Sequence, residues 1–205
     1  MLILVPTELE AAPLRDLGLR MEIIGMGPVE AAVSAYEIFQ QEKSQVAFLA
    51  GLAGAYPESG LSVGDLVLAI EEAFGDLAIC YPERLGTFGK KLPVKNRLSL
   101  RSPYLEKAVC ILEENEFHPE VGPLVTVCCA TRDPERALLF GRRYAALAEN
   151  MEGFGVALAA EKAGVTLIEL RTISNLLEKP EDPWETERAL SALKEALRCL
   201  SKNWR

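Results

Sequence analysis

Histidine is almost absent from this 205-residue chain, with His118 the only one. A single imidazole is too few for a histidine-built metal site, so no metal is expected. The five cysteines (Cys80, Cys110, Cys128, Cys129 and Cys199) contain no CxxC pair. Neighbours such as Cys128 and Cys129 do not readily bridge to each other in ordinary disulfide geometry. Reduced, mostly buried thiols in a cytoplasmic protein are therefore expected. No apolar run approaches the roughly 18 residues of a membrane span. The opening Met-Leu-Ile-Leu-Val-Pro has no basic region before its short apolar stretch, which argues against a signal peptide. Basic residues are also in deficit, 22 Lys and Arg against 30 Asp and Glu, for a net charge of −8. That balance argues against a nucleic-acid backbone or an anionic membrane as partner.

What remains is ordinary for a soluble globular protein: 49% hydrophobic and 25% charged residues, in a length suited to one domain over 1–205. Short β-rich runs alternate with helical patterns throughout. Strands are predicted at Leu2–Val5, Glu22–Ile24, Val46–Ala50, Val67–Ile70, Leu124–Cys128 and Thr166–Ile173. Helices are predicted near Glu8–Leu17, Val29–Gln41, Tyr104–Asn115, Glu135–Arg143, Met151–Ala163 and Trp184–Leu200, with Thr7 capping the first. Pro82–Leu100, rich in Lys, Arg, Gly and Pro, reads as an irregular excursion. The alternation predicts a single-domain α/β three-layer sandwich around a central mixed sheet.

Several segments at predicted strand ends carry chemistry. Gly51-Leu-Ala-Gly54 follows an apolar strand, either as a tight exit or as a loop whose N–H groups approach a ligand. Its spacing matches neither the dinucleotide fingerprint nor a Walker loop. Gly25-Met-Gly27 allows the same two readings. Glu10, in the first turn of a helix, is either a favourable helix-dipole charge or a general base for water. Glu152 opens a helix rich in small residues and can accept from both hydroxyls of a ribose diol; helix-end electrostatics is the plainer account. Met151 beside it can pack on a sugar face or simply fill the core. Ser174-Asn175 ends an apolar strand, as an Asx turn or as a base-recognition site.

Taken in order, these segments resemble the purine nucleosidase and nucleoside phosphorylase superfamily. Pro6-Thr-Glu-Leu-Glu10 is similar to its catalytic-acid segment, and Gly25–Ala32 and Gly51–Ala55 to its two glycine loops. Ser62-Val-Gly-Asp-Leu-Val67 is similar to its Val-Gly-Asp strand, Asn150-Met-Glu152 to its ribose anchor, and Arg171-Thr-Ile-Ser-Asn175 to its base-binding strand end. Within the superfamily, the Pro-Thr-Glu-Leu-Glu start, the Gly-Met-Gly-Pro-Val-Glu-Ala-Ala block and Glu-Asn-Met-Glu-Gly-Phe are similar to the futalosine hydrolase family of menaquinone biosynthesis. That resemblance implies cleavage of a modified inosine to hypoxanthine and a dehypoxanthinyl product, without metal or organic cofactor. It implies catalytic roles for Glu10 and Asn175, and substrate contacts from Gly27, Gly51, Leu52, Ala53, Gly54, Met151, Glu152 and Ser174. It also implies a homodimer or higher homo-oligomer.

Two departures bear on the reaction. The phosphorylases place an arginine before the glycine loop and a hydroxyl within it, whereas Phe48-Leu-Ala-Gly-Leu52 has neither. A phosphate dianion would be poorly paired there, so water is the expected nucleophile. Asn175 stands where adenine-cleaving nucleosidases have aspartate. Its NH₂ can donate to the N7 and O6 acceptors of a 6-oxopurine, which an ionised aspartate would repel. The aromatic carboxylate of futalosine calls for a cation, for which Arg132 or the Lys90–Arg97 segment are candidates. The alternatives are a phosphate-dependent phosphorylase, a methylthioadenosine-type nucleosidase, and a non-catalytic nucleoside sensor.

Overall fold

A computed structural model describes residues 1–42, 44–81, 84–89 and 92–204. β1 (Leu2–Val5) is wholly buried because successive side chains feed two cores. Leu2 and Leu4 enter one, Ile3 and Val5 the other. β1 pairs in parallel with β2 (Arg20–Ile23) and β3 (Val46–Ala55). β3 in turn runs parallel to β10 (Thr166–Leu176), with a register irregularity between Ile173 and Asn175.

From β10 the sheet turns back on itself. β4 (Leu66–Phe74) is antiparallel to β10, and β8 (Glu120–Thr126) is parallel to β4. β9 (Ala148–Asn150) then lies parallel to β8 and antiparallel to the end of β3. The path β3–β10–β4–β8–β9–β3 is thus closed, with β1 and β2 extending from β3 and β7 (Arg97–Ser99) edging β4. Closure brings the ends of β3, β9 and β10 together, and Gly51–Gly54, Met151, Glu152, Ser174 and Asn175 fall there.

Helices cover both sides of the sheet, as an α/β sandwich requires. α2 (Pro28–Gln41) and α5 (Gly153–Ala163) share one core. α3 (Pro103–Glu114) and α6 (Thr186–Asn203) share the other. α6 is set by Leu190, Leu193, Leu197 and Leu200, whose three- and four-residue spacing makes one apolar stripe. Burying each such leucine stabilises the fold by about 1.5–3 kcal/mol. α4 (Pro134–Tyr144) closes a smaller cluster around Tyr56, Phe140 and Tyr144. No helix among the described residues is long and apolar enough to cross a membrane.

Four sequence-based expectations change. Gly51–Gly54 is not a loop, because β3 continues through Ala55. Ser174 and Asn175 lie within β10 rather than after it. The helix expected from Met151 begins at Gly153, and Ala148–Asn150 before it is a strand. The excursion after Tyr81 contains β7, and a hairpin of β5 (Ile79–Tyr81) with β6 (Arg84–Gly86) precedes that strand. Pro82, Glu83, Lys90 and Lys91 lie outside the described residues. All four changes extend or add strands: ring closure supplies the pairings in the first three, whereas β7 is added at the edge of β4 and β5 and β6 pair with each other.

Candidate active site

α1 (Glu8–Ala11), followed by a 3₁₀ turn, starts directly beyond the C-terminal end of β1. Thr7 caps it, accepting from the Glu10 backbone N–H, while its hydroxyl donates to Glu10 Oε2 at 2.7 Å. Glu10 Oε1 accepts from the Leu52 N–H at 3.1 Å. The carboxylate is thereby fixed against β3. Gly51 makes this approach possible: a Cβ there would stand 2.8 Å from Glu10 Oε1 and 2.7 Å from Arg171 Nη1. Burial pushes the Glu10 carboxyl above its ordinary value, while Thr7, Arg171 and the Leu52 N–H pull it back. A carboxylate poised this way is suited to take a proton from water near neutral pH.

Glu152 occupies the cap position of α5 and is buried. Its Oε1 accepts from the Gly27 N–H at 3.2 Å, and its Oε2 from Arg171 Nη1 at 3.3 Å. Gly27 therefore meets Glu152 through its backbone, at the start of α2. The small residues of α5 allow this, since a methyl on Gly155 would collide with the Pro28 carbonyl.

Arg171 had no assigned role from sequence, yet its guanidinium organises the floor of the site. It is wholly buried, donating from Nε to Glu169 at 2.9 Å and from Nη1 to the Leu52 carbonyl at 3.2 Å. Burial works against its charge, but Glu169, Glu152 and Glu10 hold it firmly protonated. Its signal in the sequence was a charged pair, Glu169 and Arg171, at strand spacing inside an apolar run.

Asn175 sits at the register irregularity. Its Oδ1 accepts from the Ser174 hydroxyl at 2.9 Å, and a Cβ on Gly54 would stand 3.1 Å from Nδ2. With Oδ1 occupied by Ser174, the amide NH₂ is the group left to donate to a ligand. Glu149, also unassigned from sequence, pairs with Gly54 from the other side, across β9. It accepts from the Thr131 N–H and hydroxyl, both at 2.7 Å, and from Tyr56 Oη at 3.1 Å. Burial raises its carboxyl, and these three donors oppose the rise.

An open-mouthed cavity joins these groups. Glu10, Glu149, Met151, Glu152, Ser174 and Asn175 all line it, as do Leu52, Ala53 and Gly54. Gly51 lies beneath, and Gly27 borders an adjoining groove. Arg132 is exposed and does not line the cavity, because it lies beyond the wall residue Thr131 in the turn entering α4. Lys95 and Arg97 pair instead with Glu161 and Glu71.

Residues 21–202 match the profile of the phosphorylase superfamily. The chain belongs to this superfamily. Among superfamily members, it is similar to the futalosine hydrolase of Thermus thermophilus, 35% identical over 178 residues, which cover 86% of this chain and 78% of that one. The 5′-methylthioadenosine/S-adenosylhomocysteine nucleosidase of Staphylococcus haemolyticus is 25% identical over 74% of this chain and 66% of its own length. The structure of futalosine hydrolase from Helicobacter pylori superposes with a TM-score of 0.83 at 20% identity, covering 98% of this chain and 96% of that one. At that identity the superposition speaks for the superfamily fold alone.

Proposed function

We propose that this chain is an N-glycosidase that hydrolyses futalosine to hypoxanthine and dehypoxanthinylfutalosine, a step of menaquinone biosynthesis. One observation carries the proposal. Glu10, Glu152 and Asn175 line one cavity, in a chain 35% identical to a futalosine hydrolase over most of its length.

In this scheme Glu152 accepts from both ribose hydroxyls and Met151 packs against the sugar. The C–N bond lengthens towards an oxocarbenium-like transition state, and its electron pair moves onto the purine. Asn175 Nδ2 donates to N7 or O6, where that charge gathers, and Glu149 faces the base as an acceptor suited to N1–H. Water adds to the anomeric carbon as Glu10 takes its proton; the departing base takes a proton from solvent to become hypoxanthine, and Glu10 returns its own to solvent. No basic residue is among the described residues lining the cavity, and Arg171 beneath it is buried and bonded to Glu169, Glu152 and the Leu52 carbonyl, which favours water over a phosphate dianion. Arg132 and the Lys90–Arg97 segment are candidates for the distal carboxylate where a second copy completes the cavity.

A homodimer is part of the proposal. Val29, Val33 and Tyr36 leave an apolar stripe exposed at helical spacing along α2, and exposed Met26 just before the helix borders the cavity. A second copy seated there would reach the cavity mouth, and sedimentation of Val29→Glu against the parent tests this. The four described cysteines are unpaired, in accord with a cytoplasmic setting, but Cys110, Cys128 and Cys129 are exposed and Cys199 alone of the four is buried, against the expectation of mostly buried thiols.

The deciding assay follows base release from futalosine, inosine and methylthioadenosine, with and without phosphate. Phosphate-independent release of hypoxanthine from futalosine is expected, reduced about 10²–10⁴-fold in Glu10→Gln. Phosphate-dependent release would make the chain a phosphorylase, and a preference for methylthioadenosine would make it an adenine-type nucleosidase. Binding without release would leave a sensor.

A further inference from the structure

Behind the ribose-facing wall lie two carboxyl groups that the proposed reaction does not use. Glu72 of β4 and Glu169 of β10 are both completely buried. Their side chains meet over Gly153, where a methyl would collide with Glu72 Oε1 and stand 2.6 Å from Glu169 Oε1. Glu72 accepts from Thr126 Oγ1 at 2.7 Å and from Asn150 Nδ2 at 2.5 Å. The Asn150 amide is held in that sense because its Oδ1 accepts from the Glu152 and Gly153 N–H groups. Glu169 Oε1 accepts from Arg171 Nε, but Glu169 Oε2 is buried with no hydrogen bond from any conventional donor.

Among the described residues facing the pair, Arg171 is the one cation, and Glu152 at the start of α5 and Glu10 in α1 are further anions near it. Thr126 of β8 and Asn150 of β9 are neutral. Four carboxylates around one guanidinium, two of them fully desolvated, cannot all be ionised at modest cost. A proton between Glu72 and Glu169 resolves both difficulties. It removes one buried charge and supplies the missing donor for Oε2. The same sharing of a proton by adjacent carboxyl groups is what like-charge repulsion generally imposes.

We propose that Glu72 is a neutral carboxylic acid that donates its proton to Glu169 Oε2, so that the pair carries one negative charge and fixes Arg171 between Glu152 and Glu10. Glu72 and Glu169 are then positioning residues, acting on the ribose anchor and the water-activating carboxylate through Arg171 and Asn150. The part concerning Glu10 rests on the hydrolytic scheme above; the protonation state does not.

Two measurements separate those parts. Infrared spectra at pH 7 should show a protonated-carboxyl C=O band that is lost in Glu72→Gln. Absence of the band from the parent protein, or its survival in the variant, would overturn the shared proton whatever the enzyme's substrate. The second is the acid limb of kcat/KM on futalosine, which reports ionisation of the catalytic base. Glu72→Gln replaces one neutral group by another and should leave the limb in place, although Asn150 loses an acceptor and melting temperature falls. Glu169→Gln removes a real negative charge and should move the limb down by roughly one pH unit. Equal downward shifts in both variants would mean that Glu72 is ionised, and no shift in either would mean that the pair does not act on Glu10. Loss of stability alone moves neither limb.

Discussion

The two faces of β10 are built from the same strand and obey different rules. Ile168 and Leu170 enter the core made with α3 and α6, where contacts are many, individually weak and non-directional. Glu169 and Arg171 belong to a polar assembly in which the guanidinium bonds four acceptors: Glu169 on its own strand, the Leu52 carbonyl, Glu152 and Asn150. On the oily face a lost methylene weakens the whole by a little. On the polar face the donors and acceptors are matched one to another, Glu169 Oε2 apart, and removing one leaves another buried and unpaired. Catalytic geometry is held by the second kind of packing, and the first kind makes it affordable in a chain of this size.

Removing Arg171 should break the comparison most severely. Arg171→Met keeps the volume approximately but leaves Glu169 and Glu152 buried without their cation. A loss of about 3–5 kcal/mol is expected in urea unfolding, with turnover abolished. Arg171→Lys keeps the charge without the planar fork and should recover stability before activity. A stable, active Arg171→Met protein would mean that the polar face is dispensable.

Leu170→Ala tests the other face. The cavity it leaves should cost about 2–5 kcal/mol, yet kcat/KM of the folded fraction should stay close to the parent value, because the side chain packs into the helix-lined core and not into the site. If KM rises while stability holds, the two faces are coupled in a way that simple packing does not provide.

Asn175 lies further along the same strand, where a smaller change should read out as specificity. Asn175→Asp exchanges the NH₂ donor for an oxygen facing the O6 and N7 acceptors. The preference for hypoxanthine nucleosides over adenine nucleosides should fall by about 1–3 kcal/mol, measured as the ratio of kcat/KM values. An unchanged ratio would leave Glu149 as the group that selects the base.

Much of this is legible in the sequence. The alternation of apolar runs and helical patterns places the α/β layers, and Glu10, Glu152 and Asn175 stand out as polar groups at the ends of apolar elements. Closure of the sheet is not legible, because β9 is three residues, Ala148–Asn150, two of them polar. Its pairing is supplied by β8 and β3, far away in sequence. Gly51 and Gly54 look like a loop for the same reason: their smallness serves side chains arriving from α1 and β10, not a turn of their own backbone. Glu72, Glu149, Glu169 and Arg171 are hidden differently. A single charge in an apolar strand gives no sign of its partner until the strands are ordered, and only the Glu169 and Arg171 spacing offers a local hint.

The gentlest test of the polar face is pH. Burial sets Glu72 well above the ordinary 4.5, and Glu10, Glu149 and Glu169 are raised as well. A carboxyl raised on folding binds its proton more tightly in the folded chain than in the unfolded one. Its contribution to stability is therefore complete below about pH 4.5 and is lost as pH rises from there through the folded value. Each such group gives a slope of about 1.4 kcal/mol per pH unit inside that window. Once the salt-bridged surface acids are ionised, stability should thus fall as pH rises above about 4.5 and through the raised values of these groups. Glu72→Gln should be less stable at pH 5 yet show a flatter decline, since an amide has no proton to lose on unfolding. A decline as steep as that of the parent would assign the slope to Glu10, Glu149 and Glu169, and would separate the carboxyls lining the cavity from the one behind it.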